Sequence, residues 1–514
     1  MIHFYNKIPG LLLATGLCSV AITVAGCNSV GNSDSNVVYY RDYGAKGDGV
    51  TDDFDAIIAA HAAANKTGAT VRATAGAKYY IGGAAKTARV ETNTDWRNAE
   101  FIIDDSAVQK NGAVWRDSWI FDIVSAQPAT QITSVQTFSK GQEKLELSLP
   151  YAAVLAATDS STRRYIRRGP NENPGTSQTD VFIVDKDGNV DPSAPIIWDF
   201  QRVTSLTAYP IDEQVLTITG GKFTTIANRG VADDNYMKRG IRVMRSNTVI
   251  DGLVHLITQE GDQGAAYDAF IKFENCANVT IRNSTLTGHR GYRQANGVTR
   301  GSYDINATRT ISLSVINCDQ TNAITNSRWW GIFASNYSKN ILFDHVKFSR
   351  FDAHQGVRNV TILNSELGYQ SISIIGSGLM RVENTKVYSD RFIGLRDDYG
   401  STWEGEVLIR DCTLAPITQF ANARIIDTNN DGQWDFGYPC YMPETITIDG
   451  FTVEEAFAPA SYNGILLVRA VNTGVHEPFP YALTKTINLS RFVSKMPFRM
   501  PNSYISSQIE VRQN

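Results

Sequence analysis

"NVTILNSEL", residues 359 to 367, alternates apolar and polar side chains and then turns polar and small at Asn364 and Ser365. In an extended strand that alternation puts Val360 and Ile362 on one face, which is the face to be buried. The pattern recurs in "NVTIRNSTL" (278 to 286), "SLSVINCDQ" (312 to 320), "NILFDHVKF" (340 to 348), "LMRVENTKV" (379 to 387) and "EVLIRDCTL" (406 to 414). Aligned, the second column reads Val279, Leu313, Ile341, Val360, Met380, Val407 and the fourth Ile281, Val315, Phe343, Ile362, Val382, Ile409. The sixth column, Asn283, Asn317, His345, Asn364, Asn384, Asp411, holds side chains that hydrogen-bond their surroundings where a chain turns. Starts at 340, 359 and 379 are 19 and 20 residues apart, and the other intervals are 34, 28 and 27. A unit of this period cannot bury its own apolar face and must stack on its neighbours. The fold expected is therefore all-β, a solenoid of parallel coils, with the longer intervals carrying inserted loops.

The rest of the composition agrees. The chain has 514 residues, with 40 Gly and 22 each of Tyr and Phe, and its formal charge of -4 offers no general attraction for nucleic acid. Of six cysteines, Cys276, Cys318, Cys412 and Cys440 lie too far apart for a zinc knuckle or a CxxC redox site. Buried free thiols are expected, with Cys318 and Cys412 packed beside the turns of the repeat.

The first 26 residues read as a signal peptide: Lys7, the apolar run "LLLATGLCSVAITVAG", and then Cys27. Val24-Ala25-Gly26-Cys27 resembles a bacterial lipobox, which implies a lipid on Cys27 and attachment to the membrane of the cell envelope, outward-facing or periplasmic. Residues 27 to 36 follow as a tether.

"DYGAKGDGVTDDFDAIIAAHAAA" (42 to 64), taken with the repeats, resembles the entry segment of the pectin-lyase-like right-handed parallel β-helix proteins, which include polygalacturonases, pectate lyases and phage tailspikes. The resemblance implies a right-handed β-helix and says little about the reaction. Within this segment Thr51 is expected to N-cap a helix from 52 to 65 that covers the N-terminal end, with Asp48, Asp52 and Asp53 in structural roles. The organisation expected is a cap and first coils over 37 to 127, an inserted β subdomain or decorated coils over 128 to 235, the main β-helix with binding loops over 236 to 455, and C-terminal coils and cap over 456 to 514. In the insertion, "QVLTITGGKFTTI" reads as two strands around a Gly-Gly turn.

Loops inserted into a solenoid tend to gather on one face, which is commonly the binding face. "GHRGYRQ", "TNSRWWG" and "LRDDYGSTWEG" bring aromatic and basic residues that suit an acidic polysaccharide: rings stack on sugar C–H faces, and Arg forks grip carboxylate or sulfate. The substrate-binding candidates are His289, Tyr292, Arg293, Tyr303, Trp330, Asn336, Arg350, Arg396, Tyr399 and Trp403. In "SRFDAHQGVRN" (349 to 359), Arg350, Asp352 and His354 alternate with core-facing Phe351 and Ala353, and so should point outward from a short floor coil. Asp398 in "RFIGLRDDYG" is expected two coils away, about 10 Å from Asp352, a separation that leaves room for a hydrolytic water between two carboxylates. Asp352, His354 and Asp398 are the primary catalytic candidates, with Asp304 and Glu260 as reserves.

"DTNNDGQWD" (427 to 435) places Asp427, Asn429 and Asp431 as a calcium loop would, but its twelfth position is Tyr438 instead of Glu. It reads as a structural calcium site or as an Asx-rich turn, and no other cofactor is implied. The leading expectation is a surface-anchored glycoside hydrolase acting on an anionic polysaccharide. The alternatives are a polysaccharide lyase or uronate epimerase using His354 and Arg396, and a non-catalytic glycan binder.

Overall fold

The alternation in the repeats becomes a parallel ladder. Ile281, Val315, Phe343, Ile362, Val382 and Ile409 lie in register one above another, all fully buried, and the column continues through Ile448 and Leu489. The structure is a computed structural model that describes residues 36–110, 112, 115, 117–167, 172–420, 422–428, 435–469, 481–500 and 509–513. Val37–Asn514 forms one compact unit, whereas the expected signal peptide, Cys27 and the expected tether up to residue 35 lie outside the described residues. Among the described residues a 27-stranded sheet runs through successive coils, and the core lies inside them.

Each coil bends where the sixth repeat column falls. Asn283, Asn317, His345, Asn364, Asn384 and Asp411 all adopt left-handed backbone, φ 48–53°. Asn and Asp tolerate this region better than most side chains, which is why the column is so uniform. Asn317 Nδ2 donates to Asn283 Oδ1 (2.8 Å) and Asn384 Nδ2 to Asn364 Oδ1 (3.2 Å), so the bends are also hydrogen-bonded to one another. Gly220 and Gly252 stand at the same corner upstream, with φ 70° and 75°.

That corner corrects the reading of the Gly-Gly pair. Leu216–Ile226 is one strand running through the bend, parallel to Thr94–Asp104, and not a hairpin. A Cβ at Gly220 would collide with the Arg97 carbonyl oxygen, so glycine is required by the coil below. The true departure from the solenoid is an antiparallel sheet of Thr130–Gln131, Ala153–Arg164, Thr176–Val184 and Ser205–Pro210, around a core that includes Phe138, Leu155, Phe182 and Phe200. It ends before Leu216, well short of residue 235. A buried ion pair, Lys339 Nζ to Asp180 Oδ1 at 2.8 Å, ties this sheet to the coils.

The helix is Phe54–Thr67, two residues later than expected, because Asp48–Asp52 is strand and Asp53 is the N-cap. Thr51 does not cap it. The acidic cluster is occupied with backbone: Asp53 accepts from the Lys46 and Gly47 N–H groups, Asp48 from Val50 and Thr51, and Asp52 from Phe54. Phe54, Ile57, Ala60, His61 and Ala64 face inward, over the strands of the first coil. Cys276, Cys318, Cys412 and Cys440 are free and buried, and burial pushes each thiol up to about 12.

Candidate functional site

Strands 305–308, 333–336, 351–354, 372–375 and 393–395 form one face of the solenoid, in which Asn306, Ala334, Asp352, Ser373 and Gly394 occupy one register position. Phe351 and Ala353 point into the core, and Asp352 points away from it, as the alternation requires. The short side chains of Ala334, Ser373 and Gly394 leave the space beside Asp352 to residues from the flanking turns. Those residues cover it completely, and Asp352 has no exposed surface.

Two guanidinium groups, an imidazole and a phenol surround the carboxylate. Arg350 Nη2 lies 2.6 Å and His354 Nε2 2.9 Å from Oδ2, and the Tyr303 hydroxyl donates to the same oxygen at 3.0 Å. Arg396 Nη1 donates to Oδ1 at 2.7 Å. The other edge of the same guanidinium holds Asp398, Nε to Oδ1 at 3.1 Å and Nη2 to Oδ2 at 2.8 Å. Arg167, just beyond the strand Ala153–Arg164 of the inserted sheet, also pairs with Asp398 Oδ2 and lies over the Tyr399 ring.

This arrangement corrects the proposed carboxylate pair. Asp352 and Asp398 are bridged by one guanidinium, which occupies the place a hydrolytic water would need. Burial alone would raise the Asp352 pKa, but Arg350, His354 and Arg396 outweigh it and hold the acid well below the usual carboxylate range. Asp398 is held down against its own burial by Arg396 and Arg167. Neither is a proton donor at neutral pH, so Asp352 is not the general acid.

His354 behaves differently. Burial lowers its pKa first, Asp352 opposes that, and Arg396 and Arg350 add to the lowering, so the ring is neutral at pH 7. Nε2 faces Asp352 and Nδ1 has no hydrogen-bond partner among the described residues, with 19% of the side chain exposed. A neutral imidazole held by a buried carboxylate, with its second nitrogen free, is the arrangement of a general base.

Two walls rise beside it. Trp329–Gly331 pairs antiparallel with His289–Arg293, which pairs in turn with Thr299–Gly301. Trp330 lies against Gly301, where any Cβ would enter the indole, and its Nε1 donates to the Tyr303 hydroxyl at 3.1 Å. The Arg350 guanidinium stacks on the Trp330 ring at 4.9 Å, and its Nε and Nη1 are buried without partners. On the other side Tyr399 accepts from Gln355 Nε2 (3.3 Å) and Arg167 Nη1 (3.5 Å), and Tyr337 bonds Gln355 and Thr176. Arg167 carries no sequence signal because its approach depends on how the inserted sheet docks, and Gln355 and Tyr337, which meet across neighbouring coils, stand out by no motif.

Several candidates are placed elsewhere. Trp403 is fully buried in the core, its Nε1 donating to the Gly378 and Glu406 carbonyls, because it fills the space over Gly376 of the coil below. Tyr292 packs against Ala232 and Ala266, not toward solvent. Arg293 is exposed, Asn336 accepts from the Gln355 N–H at 3.5 Å, and neither touches Asp352. His289, Asp304 and Glu260 form a separate buried cluster: Asp304 Oδ1 lies 2.9 Å from His289 Nε2 and 2.7 Å from His255 Nδ1, and Glu260 Oε1 lies 3.3 Å from His289 Nδ1. Asp304 and His289 are thus neither catalytic acid nor sugar contact, being shut away from substrate. Asp427 is faced by Arg391, Arg424 and Arg469, whose charges would repel calcium, while Asn429 and Asp431 lie outside the described residues.

No family model matches the chain, and no characterised protein matches it by sequence. Among solved structures, the tailspike of Pseudomonas phage phi297 matches with TM-score 0.54 at 13% identity, over 93% of this chain and 84% of that one. The fold is a right-handed parallel β-helix. The tailspike of Acinetobacter baumannii bacteriophage AP22, solved with a capsular saccharide, has TM-score 0.49 at 9% identity over 92% and 79% of the two chains. The Streptococcus pneumoniae surface adhesin PfbA has TM-score 0.45 at 11% identity over 91% and 100%. At these identities the likeness concerns architecture, and the chemistry rests on the residues just described.

Proposed function

We propose that the protein is an enzyme acting on an acidic, uronate-bearing polysaccharide, with His354 as the base that removes the proton α to the sugar carboxylate. The observation that carries this reading is the neutral His354 ring, pinned through Nε2 by an ionised Asp352 and open at Nδ1. The Arg350 guanidinium, paired with Asp352 and stacked on Trp330, keeps positive charge beside the ring, which favours the charge that grows on a sugar carboxylate as the C5 proton leaves. Tyr399, whose oxygen accepts two hydrogen bonds, is the hydroxyl that would donate, either to the departing glycosidic oxygen or back to C5. The first outcome is elimination and the second epimerisation. The leading hydrolase expectation yields to this alternative because both of its carboxylates are ionised and bridged.

The test is a panel of uronate-bearing and sulfated polysaccharides, followed for new reducing ends, absorbance near 235 nm, and deuterium uptake at C5 in D2O. Elimination gives reducing ends with absorbance, and epimerisation gives deuterium without cleavage. Reducing ends with neither absorbance nor deuterium would mean hydrolysis and would end the proton-abstraction reading.

A lipid anchor on Cys27 is part of the same proposal, since it would hold the enzyme at the envelope where such polymers lie. Cys27→Ser is expected to shift the protein from the membrane to the soluble fraction and to abolish partitioning into detergent. Unchanged fractionation would remove the anchor from the account.

A further inference from the structure

The cluster below the cleft wall is unexplained by this chemistry. His255 Nδ1, His289 Nε2 and Asp304 Oδ1 converge, all three atoms within 4.8 Å of one another, and all three residues are buried. The far atom of each is fastened by a second group. His255 Nε2 lies 3.0 Å from the Thr225 hydroxyl, Asp304 Oδ2 accepts from the Thr287 N–H at 2.7 Å, and His289 Nδ1 faces the Glu260 carboxylate. Outer partners of this kind, a carboxylate behind one imidazole above all, are what orient the ligands of a metal site.

Charge gives a second, independent reason. The Glu260 side chain is 5% exposed. Two carboxylates, Asp304 and Glu260, therefore sit in one buried cluster. Of the nearby cations, Arg239 is taken by Asp105 and Arg290 by Asp262. A divalent ion held between the two imidazoles and Asp304 offsets the charge of these buried carboxylates.

We propose that His255, His289 and Asp304 bind one divalent transition-metal ion, of the zinc class, at a structural site beneath the cleft wall. Two imidazole nitrogens and a carboxylate oxygen are a zinc-type donor set, with metal–ligand distances of about 2.0–2.2 Å. The present contacts of 2.7 and 2.9 Å to Asp304 Oδ1 need to open by only about half an ångström to admit the ion. Asp304 directly precedes the strand Ile305–Gln320 and directly follows Tyr303, so the ion would fix the residue that bonds Asp352.

The full chain is to be stripped with a chelator under mildly denaturing conditions and refolded with Zn2+ or, separately, Co2+, and bound metal counted after desalting. About one equivalent per chain is expected for each ion, with visible Co2+ absorption of a low-coordinate N/O site and a higher melting temperature than the metal-free chain. His255→Gln and His289→Gln should each lose the ion and the Co2+ bands, whereas Asp352→Asn should keep both. If either His variant does not fold, the wild-type stoichiometry and Co2+ spectrum still decide. A refolded wild-type chain that retains no Zn2+ or Co2+, or whose bound metal is unaffected by both His variants, overturns the proposal.

Discussion

His354→Ala is expected to lower turnover on the responsive polysaccharide by about 10²–10⁴-fold, the range lost with a positioned general base. Binding of the polymer should persist, since the walls and Arg350 are untouched, so the loss belongs in kcat more than in KM. Asp352→Asn should match that loss, because an amide cannot hold the imidazole as the carboxylate does. It should also destabilise the fold by about 3–5 kcal/mol, since Arg350 and Arg396 would lose their shared buried counterion. Asp398→Asn is the discriminating variant. In the base reading it merely loosens Arg396, whereas an acid/base pair of carboxylates would make it as severe as Asp352→Asn. Near-normal turnover in His354→Ala together with an inactive Asp398→Asn would reverse the assignment.

The pH profile follows from the same groups. The folded His354 pKa lies below 6.5, and the ring is the base only when neutral. The rate should therefore be flat through neutrality and fall on acidification, with a midpoint below 6.5. The stability linked to this ring has the same sign: it is present above 6.5 and is lost as pH falls below that value, because the unfolded chain takes up the proton first. A rate that rises on acidification from neutrality would require a protonated His354 and exclude it as base.

How much of this was legible in the sequence depended on distance along the chain. Columns such as Ile281 to Ile409 are readable because every coil repeats one local instruction, and the outward phase of Asp352 followed from Phe351 and Ala353. The bend at Asn364 was equally plain, yet the same corner at Gly220 looked like a hairpin because glycine serves both. The site was legible only in part. Arg167 lies 231 residues from Asp398 and reaches it through an insertion with no repeat to align. Nor could spacing alone show that Arg396 is long enough to bridge Asp352 and Asp398. Trp403 misleads for the opposite reason: it stands among loop aromatics in the sequence, although the missing side chain at Gly376 gives it a place in the core.

The fold prediction with the largest effect is Ile362→Asp. Ile362 is fully buried between Phe343 and Val382 in the central column, with no polar group of its own coil facing inward at that height. An aspartate there must either ionise without a partner or remain protonated with unmet hydrogen bonds, costing several kcal/mol in either form. Ile362→Val removes only a methylene and should cost about 0.5–1.5 kcal/mol, which sets the scale of packing alone. In a solenoid each coil is held mainly by its two neighbours, so the damage should begin locally. Hydrogen exchange should accelerate first over Lys339–Phe348 and Ile372–Glu383, the strands stacked on either side, while the inserted sheet, with its separate core, keeps its protection longer. Equal, small losses of stability in the Asp and Val variants would mean that Ile362 is not in the interior and that the coils do not stack in this register.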